Sequence, residues 1–208
     1  MPKVLGVSGS PRKSSTYKAT EIALEACSNE DVETDIISLK EYNIKPCFHC
    51  NYCKKNDSDK SRICVIDDDM EDLYDKLISY DGFIFASPVY AMNITPQLHS
   101  FFTRFRPLHE IKGGVMRNKL AVGIAVGGTR NGGQESTLIA IANACWTRGI
   151  IYLGNEPGNY SGAMVWSKDN GEKGVVDDTT GYESLVNIGE RIGKLTKIFF
   201  EGKKSIEY

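Results

Sequence analysis

The stretch VLGVSGSPRKSST, residues 4–16, sets the expectation for the whole fold. A short apolar run leads into a loop of hydroxyl-bearing and basic residues, and then into a helical pattern with Ala19 and Ile22 on one face. This order predicts a strand, a tight polar loop and a helix. The hydroxyls and backbone N–H groups would lie at the positive end of that helix, beside Arg12 and Lys13. The loop is therefore predicted to bind a phosphate.

The spacing of residues in this loop indicates which kind of phosphate ligand it would bind. Neither G-x-x-x-x-G-K-[ST] nor G-x-G-x-x-G occurs in the chain, so the two common nucleotide motifs are absent from the sequence. A phosphate monoester at the end of one small ligand fits better than a triphosphate or a pyrophosphate. The alternative is an ordinary serine-rich helix N-cap, although capping needs only one hydroxyl.

Composition bounds the class of protein. The 208 residues, 41% hydrophobic and 25% charged, suit one compact α/β domain over residues 1–208. A net charge of −2 gives no bulk attraction to nucleic acid or to anionic membranes. No signal peptide is recognisable, and no apolar run approaches the roughly 18 residues of a membrane span. We expect a cytoplasmic protein.

Apolar runs and helical patterns alternate along the chain. The pattern predicts strands over residues 4–7, 32–39, 82–86, 120–126 and 150–153. It predicts the later helices over residues 70–79, 95–106, 135–148 and 182–200, with an irregular segment over residues 154–181. Such alternation indicates a doubly wound, five-stranded parallel sheet in the flavodoxin-like order 2-1-3-4-5, with ligands at the carboxyl ends of the strands.

Two further loops at that edge suit a flat ring. Residues 87–93 offer Pro88, Val89, Tyr90 and Asn93 to a heteroaromatic ring. Residues 127–133 are rich in glycine, so backbone N–H groups can approach the edge of the ring near Gly128 and Asn131. A flat ring on a phosphorylated chain is FMN. The alternative is that both loops are ordinary turns, where proline and glycine are common.

Residues 41–69 form a cysteine-rich insertion after the second strand. Cys47, Cys50 and Cys53 make a C-x2-C-x2-C run, and Cys64 follows. Close cysteine repeats of this kind ligate iron–sulfur clusters in ferredoxins, which favours a 4Fe–4S cluster. The alternatives are a four-thiolate zinc site and cysteines that no longer hold a cluster. The run of aspartates at 67–69 is interpreted as the start of a helix, with a metal site as the alternative.

Four motifs occur in an order typical of one family: SGSPRKSST, CFHCNYC with a later Cys64 and IDDDM, SPVY, and GGTRNGGQE. Over residues 3–153 the chain resembles the iron–sulfur flavoproteins of the NADPH-dependent FMN reductase-like flavodoxin folds. The ten residues between Cys53 and Cys64 make a longer gap than that family's compact motif. A polar loop can bulge outward at little entropic cost, so Cys64 is kept as the fourth ligand.

The resemblance implies site residues and an assembly. It implies that the FMN phosphate is bound by Ser8, Ser10, Arg12, Ser14, Ser15 and Thr16. It implies that the isoalloxazine ring packs on Pro88, Val89, Tyr90 and Asn93, and that a 4Fe–4S cluster is held by Cys47, Cys50, Cys53 and Cys64. It also implies a homo-oligomer, a dimer or tetramer, with a cluster near the flavin of a neighbouring subunit.

The expected function is electron transfer from a small ferredoxin-like donor, through the cluster, to FMN and on to a small-molecule acceptor. No side chain is required as an acid or base, so no catalytic residue is named. One alternative is a cluster-free reductase that takes hydride from NAD(P)H to reduce a flavin or quinone. The other is a zinc-stabilised FMN-binding module.

Overall fold

Six parallel strands form the sheet in this computed structural model, which describes residues 1–55, 62–110 and 113–205. The strands are β1 (Lys3–Ser8), β2 (Glu33–Ser38), β3 (Gly82–Pro88), β4 (Leu120–Gly127), β5 (Ile151–Tyr152) and β6 (Ala163–Trp166). Their order β2-β1-β3-β4-β5 confirms the predicted topology. The sixth strand was not predicted.

The fifth position of the sheet is split between two short strands. β5 pairs with Leu120 and Ala121 at the start of β4, and β6 pairs with the last four residues of β4. The prediction that residues 154–181 are irregular was therefore wrong. That segment contains β6, only four residues long and preceded by Gly162, so it carries too little alternation to be read as a strand.

Helices cover both faces of the sheet. They are α1 (Ser15–Ser28), α2 (Met70–Ser79), α3 (Pro96–Thr103), α4 (Arg106–Glu110), α5 (Gln134–Trp146), α6 (Gly171–Val176) and α7 (Thr179–Ser205). Two short 3-10 helices, Leu39–Glu41 and Tyr52–Lys54, lie in the chain between β2 and α2. The predicted helix over residues 95–106 is in fact two helices, α3 and α4, and α6 was not predicted. Within the described residues no helix has the length and apolarity needed to cross a bilayer.

Strand β3 shows why the core has two layers. Phe83 and Phe85 point into one apolar cluster, and Ile84 and Ala86 point into the other. The first cluster also takes side chains from α2 to α5, and the second takes side chains from α1, α6 and α7. A strand buried on both faces needs a continuous apolar run, which is what GFIFA supplies.

Candidate functional site

The phosphate loop lies at the carboxyl end of β1 and is fixed by two hydrogen bonds. The N–H of Gly9 donates to the carbonyl of Ala86 at 2.7 Å, and the Thr95 hydroxyl donates to the carbonyl of Gly9 at 2.6 Å. A Cβ on Gly9 would lie 2.8 Å from Cβ of Leu98, so only glycine lets the loop pass this close to α3. The loop therefore has a fixed position relative to α3.

The loop opens on a cavity of about 400 Å³ that also reaches the second and third loops. Of the residues expected to bind FMN, it is lined by Ser10, Arg12, Ser14, Ser15, Thr16, Pro88, Val89, Tyr90 and Gly128. Ser14 is the N-cap residue of α1, yet its hydroxyl makes no capping hydrogen bond. Ser14 therefore does not act as an ordinary side-chain N-cap. It lines a cavity that is large enough to hold a ligand.

Three of the expected FMN residues lie elsewhere. Ser8 is fully buried, and its hydroxyl has no hydrogen-bond partner. The Asn93 side chain accepts a hydrogen bond from the N–H of Ile94 at 2.8 Å within its own turn. Asn131 lines a second cavity of about 550 Å³ on the other side of the third loop. These three residues do not line the first cavity.

Lys13 also lies away from the cavity. Its ammonium group is 2.5 Å from a carboxylate oxygen of Glu41 and lies 5.1 Å from the ring centroid of Tyr17. The hydrogen bond with Glu41 raises the pKa of Lys13. Of the two basic residues in the phosphate loop, Arg12 alone lines the cavity.

The second loop has a strained turn. Tyr90 and Asn93 exchange backbone hydrogen bonds of 2.8 and 2.9 Å, and Ala91 and Met92 between them have φ of 48° and 61°. A left-handed conformation costs a residue other than glycine roughly 1–2 kcal/mol. Such strain is concentrated at functional sites. The turn leaves Tyr90 42% exposed beside the cavity.

The segment after β6 contributes a wall that was missed from the sequence. Ser167, Asp169 and Gly171 line the first cavity. The hydroxyl of Ser167 donates to the carbonyl of Gly127 at 3.2 Å, and a Cβ on Gly128 would lie 2.5 Å from a carboxylate oxygen of Asp169. This wall depends on β6, and no sequence signal placed β6 beside β4.

All four cysteines of the insertion line one small cavity of about 20 Å³. Cys64 is buried, Cys47 and Cys53 are half-buried, and Cys50 is exposed. The backbone N–H of His49 donates to the sulfur of Cys47 at 3.4 Å. Across residues 1–55, 62–110 and 113–205, no three His, Cys, Asp or Glu side chains form a group suited to one metal ion.

Arg106 contacts two residues of the cysteine loop that have left-handed backbone conformations. His49 and Asn51, on either side of Cys50, have φ of 59° and 61°. One guanidinium nitrogen of Arg106 lies 2.7 Å from Nδ1 of His49, and another donates to the Asn51 side chain at 2.6 Å. Burial raises the pKa of Cys53, and the charge of Arg106 opposes that rise. His49 is exposed, and its ring contacts Arg106.

The aspartate run closes the base of the insertion. A carboxylate oxygen of Asp69 accepts from the N–H of Asn43 at 2.6 Å, and one of Asp68 accepts from the N–H of Lys45 at 2.8 Å. Asp68 also accepts from Arg104 at 2.6 Å, and both side chains of this pair are at most 1% exposed. Capping of α2 is a smaller part of the role of these aspartates. Among their side chains, that of Asp68 alone accepts a hydrogen bond from the N–H of Met70, at 3.2 Å.

The other two cysteines are core residues. Cys27 and Cys145 are fully buried. Burial raises the pKa of Cys27 to about 12 and raises that of Cys145 as well. Thiols in this state are inert at neutral pH.

Comparison with known proteins gives the family. The family model described as NADPH-dependent FMN reductase matches residues 2–156. An iron-sulfur flavoprotein of Methanocaldococcus jannaschii is 40% identical over 184 residues, which are 88% of this chain and 91% of that protein. Another iron-sulfur flavoprotein, from Methanosarcina thermophila, is 34% identical over 191 residues, 91% of this chain and 93% of that one.

The fold has solved counterparts. The flavodoxin-like WrbA-like protein from Agrobacterium tumefaciens superimposes with a TM-score of 0.63 at 14% identity, over 95% of this chain and 99% of that one. The sheet order and the likeness to this structure give the same fold. With the sequence matches, they show that the chain belongs to the NADPH-dependent FMN reductase family and, within it, to the iron-sulfur flavoproteins.

Proposed function

We propose that this oxidoreductase binds FMN in the cavity between β1, β3 and β4 and a 4Fe–4S cluster among its four clustered cysteines. It passes electrons from a ferredoxin-like donor through the cluster to FMN and on to a small-molecule acceptor. When bound, the cluster exchanges single electrons and FMN exchanges one or two. The observation that carries the proposal is that the two sets of residues line two separate cavities, one near each end of α3.

The first cavity fits both ends of FMN. Ser10, Ser14, Ser15 and Thr16 offer hydroxyls, Arg12 offers a positive charge, and the start of α1 offers backbone N–H groups, which together suit a dianionic phosphate. Tyr90 and the backbone of Pro88 and Val89 offer a surface for the ring. Asp169 is an acceptor for a hydroxyl or N–H group of the ligand.

The cysteine cavity fits a cluster by its donor set. Thiolate sulfur is the ligand of iron–sulfur centres, and N–H groups directed at the sulfurs tune them. Cys47 already accepts one such hydrogen bond, from His49. The chain's own part in the reaction is to bind and orient the two groups and to set the electrostatic environment of each.

Analysis of protein purified without oxygen tests this function. We expect FMN, about four irons and four acid-labile sulfides per chain, and visible absorption beyond the flavin bands that an iron chelator removes. Serine variants of Cys47 and Cys64 should lose iron and keep FMN. A serine variant of the buried Cys27 is the matched control, which should keep both.

Two other outcomes would replace the proposal. Stoichiometric zinc without iron or sulfide would indicate a zinc-stabilised FMN-binding module. Rapid bleaching of the flavin by NADPH in protein that contains no iron would indicate a cluster-free flavin or quinone reductase. Transfer from a donor is tested by the rate at which reduced ferredoxin bleaches the flavin, which should fall in the cysteine variants.

A homo-oligomer is part of the same proposal. Phe48, between two of the cysteines, is 66% exposed, and Met92, in the second loop, is 61% exposed. Exposed apolar side chains beside both sites support contact with another copy of the chain. Light scattering should give the mass of a dimer or tetramer, and a monomer would contradict this part.

A further inference from the structure

The cysteine cavity has a buried guanidinium group in its wall. Arg104 lines the cavity and is 1% exposed. Its NH1 atom donates to the carbonyl of Lys45 at 2.9 Å and to Asp68 at 2.6 Å. Its Nε and NH2 atoms are buried and have no hydrogen-bond partner. Leaving such donors unpaired costs about 1–3 kcal/mol each, so they call for a partner that the polypeptide does not provide.

A second arginine lines the same cavity. One guanidinium nitrogen of Arg106 lies 2.7 Å from Nδ1 of His49, and another donates to the Asn51 side chain at 2.6 Å, on either side of Cys50. The charge of Arg106 opposes the rise in the pKa of Cys53 that burial causes.

Carboxylates already lie beside both of these arginines. Asp68 is committed to Arg104, and Glu110 lies 3.9 Å from Nε of Arg106 and 3.8 Å from the ammonium group of Lys54. Neither carboxylate accepts a hydrogen bond from Nε or NH2 of Arg104. These unpaired donors favour negative charge added at the cavity.

We propose that Arg104 is a positioning residue that stabilises negative charge on the sulfurs of the cysteine site through its Nε and NH2 donors, which the polypeptide leaves unpaired. The inference rests on the proposed function. Each electron that enters the cluster adds one negative charge beside these groups. They therefore raise the reduction potential of the cluster and let a weaker donor reduce it.

Variants of the holoprotein separate this role from packing. R104K keeps a positive charge opposite Asp68 but removes the spare donors. R117K is the matched control, because it makes the same change at Arg117, which is exposed and is not among the residues that line the cysteine cavity. D68N removes a negative charge beside Arg104, so its electrostatic effect has the opposite sign.

The measurement is an anaerobic redox titration followed by the electron paramagnetic resonance of the reduced cluster. We expect a shift to more negative potential in R104K, none in R117K, and a shift to more positive potential in D68N. The flavin potential in the same samples should not move. An unchanged cluster potential in R104K, or a shift of the same sign in D68N, overturns the inference.

A second readout does not need the cluster. In metal-free protein at one fixed neutral pH, iodoacetamide should alkylate the cysteines of the site more slowly in R104K than in the wild type or R117K, by up to about tenfold, because the donors that stabilise negative charge on sulfur are gone. If the purified protein holds no iron, the proposed function fails, and this rate alone decides the inference. Equal rates in all three proteins would then overturn it.

Discussion

The hydroxyl of buried Thr95 donates a hydrogen bond of 2.6 Å to the carbonyl of Gly9 and accepts one of 3.2 Å from the N–H of Leu98. One side chain therefore caps α3 and fixes the phosphate loop. Neither bond depends on a ligand. The loop is held in place before a phosphate binds, which lowers the entropy that binding must overcome.

Replacing this hydroxyl should affect both stability and binding. T95V keeps the shape of the side chain and leaves the Gly9 carbonyl and Leu98 N–H without their partner, which should cost about 1–3 kcal/mol of unfolding free energy. FMN affinity should fall as well. Urea unfolding and titration of flavin fluorescence measure the two effects. T95S, which keeps the hydroxyl, should behave almost as the wild type does.

Arg12 should distinguish FMN from riboflavin. A charge-assisted hydrogen bond is worth about 1.5–3 kcal/mol, so R12M should weaken FMN binding by about 10- to 100-fold. Riboflavin has no phosphate, and its affinity should not change. K13M is the control, because Lys13 pairs with Glu41 outside the cavity. An equal loss for both flavins in R12M would contradict a phosphate at this end.

Gly128 should matter for the ligand more than for the fold. A Cβ there would lie 2.5 Å from a side-chain oxygen of Asp169, which is flexible enough to move away. G128A should therefore lose FMN affinity through displacement of Asp169 and lose little unfolding free energy. G132A is the matched control, since its Cβ would meet the Thr129 hydroxyl at 2.3 Å outside the first cavity. Calorimetric titration with FMN compares the two.

Asp68 should make stability depend on pH. Burial alone would raise the pKa of its carboxyl, but hydrogen bonds from Arg104 and from the backbone of Lys45 and Met70 outweigh burial and hold the pKa below 3.8. A lowered pKa stabilises the fold above the unfolded-state value of about 3.9, and this stability is lost as the pH falls through the folded-state pKa.

Removing that carboxylate gives the matching prediction. D68N should cost about 3–5 kcal/mol at neutral pH, because it leaves buried Arg104 unpaired. The difference from the wild type should begin to shrink as the pH falls below about 4, because the carboxyl of the unfolded wild type then takes up a proton, and it should be lost once the pH lies below the lowered folded-state pKa. Urea unfolding of both proteins across this range measures it. A difference that stays constant with pH would contradict the ion pair as its cause.

The centre of the sheet was predicted because β3 and β4 are nearly continuous apolar runs. The run GFIFA fills both core layers, and a continuous apolar run of this kind predicts a strand that is buried on both faces. The fifth position was predicted only in part. Tyr152 ends β5, and its hydroxyl donates to the carbonyl of Ser161 at 2.8 Å, which closes the excursion before β6. That contact joins residues nine positions apart, and no periodic pattern in the sequence predicts it.

The site residues that could be predicted are those that a local sequence pattern brings together. The hydroxyls of residues 10–16 and the C-x2-C-x2-C run are local patterns, and they line the expected cavities. Lys13 was expected beside the phosphate but lies outside the cavity, because it pairs with Glu41. Asp169 was not expected at the site, because β6, which precedes it in the chain, was not predicted. Arg104 was missed because its partner Asp68 is 36 positions away in sequence.

Helix α3 has one end at each cavity. Thr95, at its start, holds the phosphate loop, and Thr103, at its end, accepts a hydrogen bond of 3.2 Å from the N–H of Cys47. Eight residues at about 1.5 Å each make a rod of about 12 Å. Within one chain a rigid helix therefore spans the distance between the two cavities, so loops at either end can change in sequence without altering that distance.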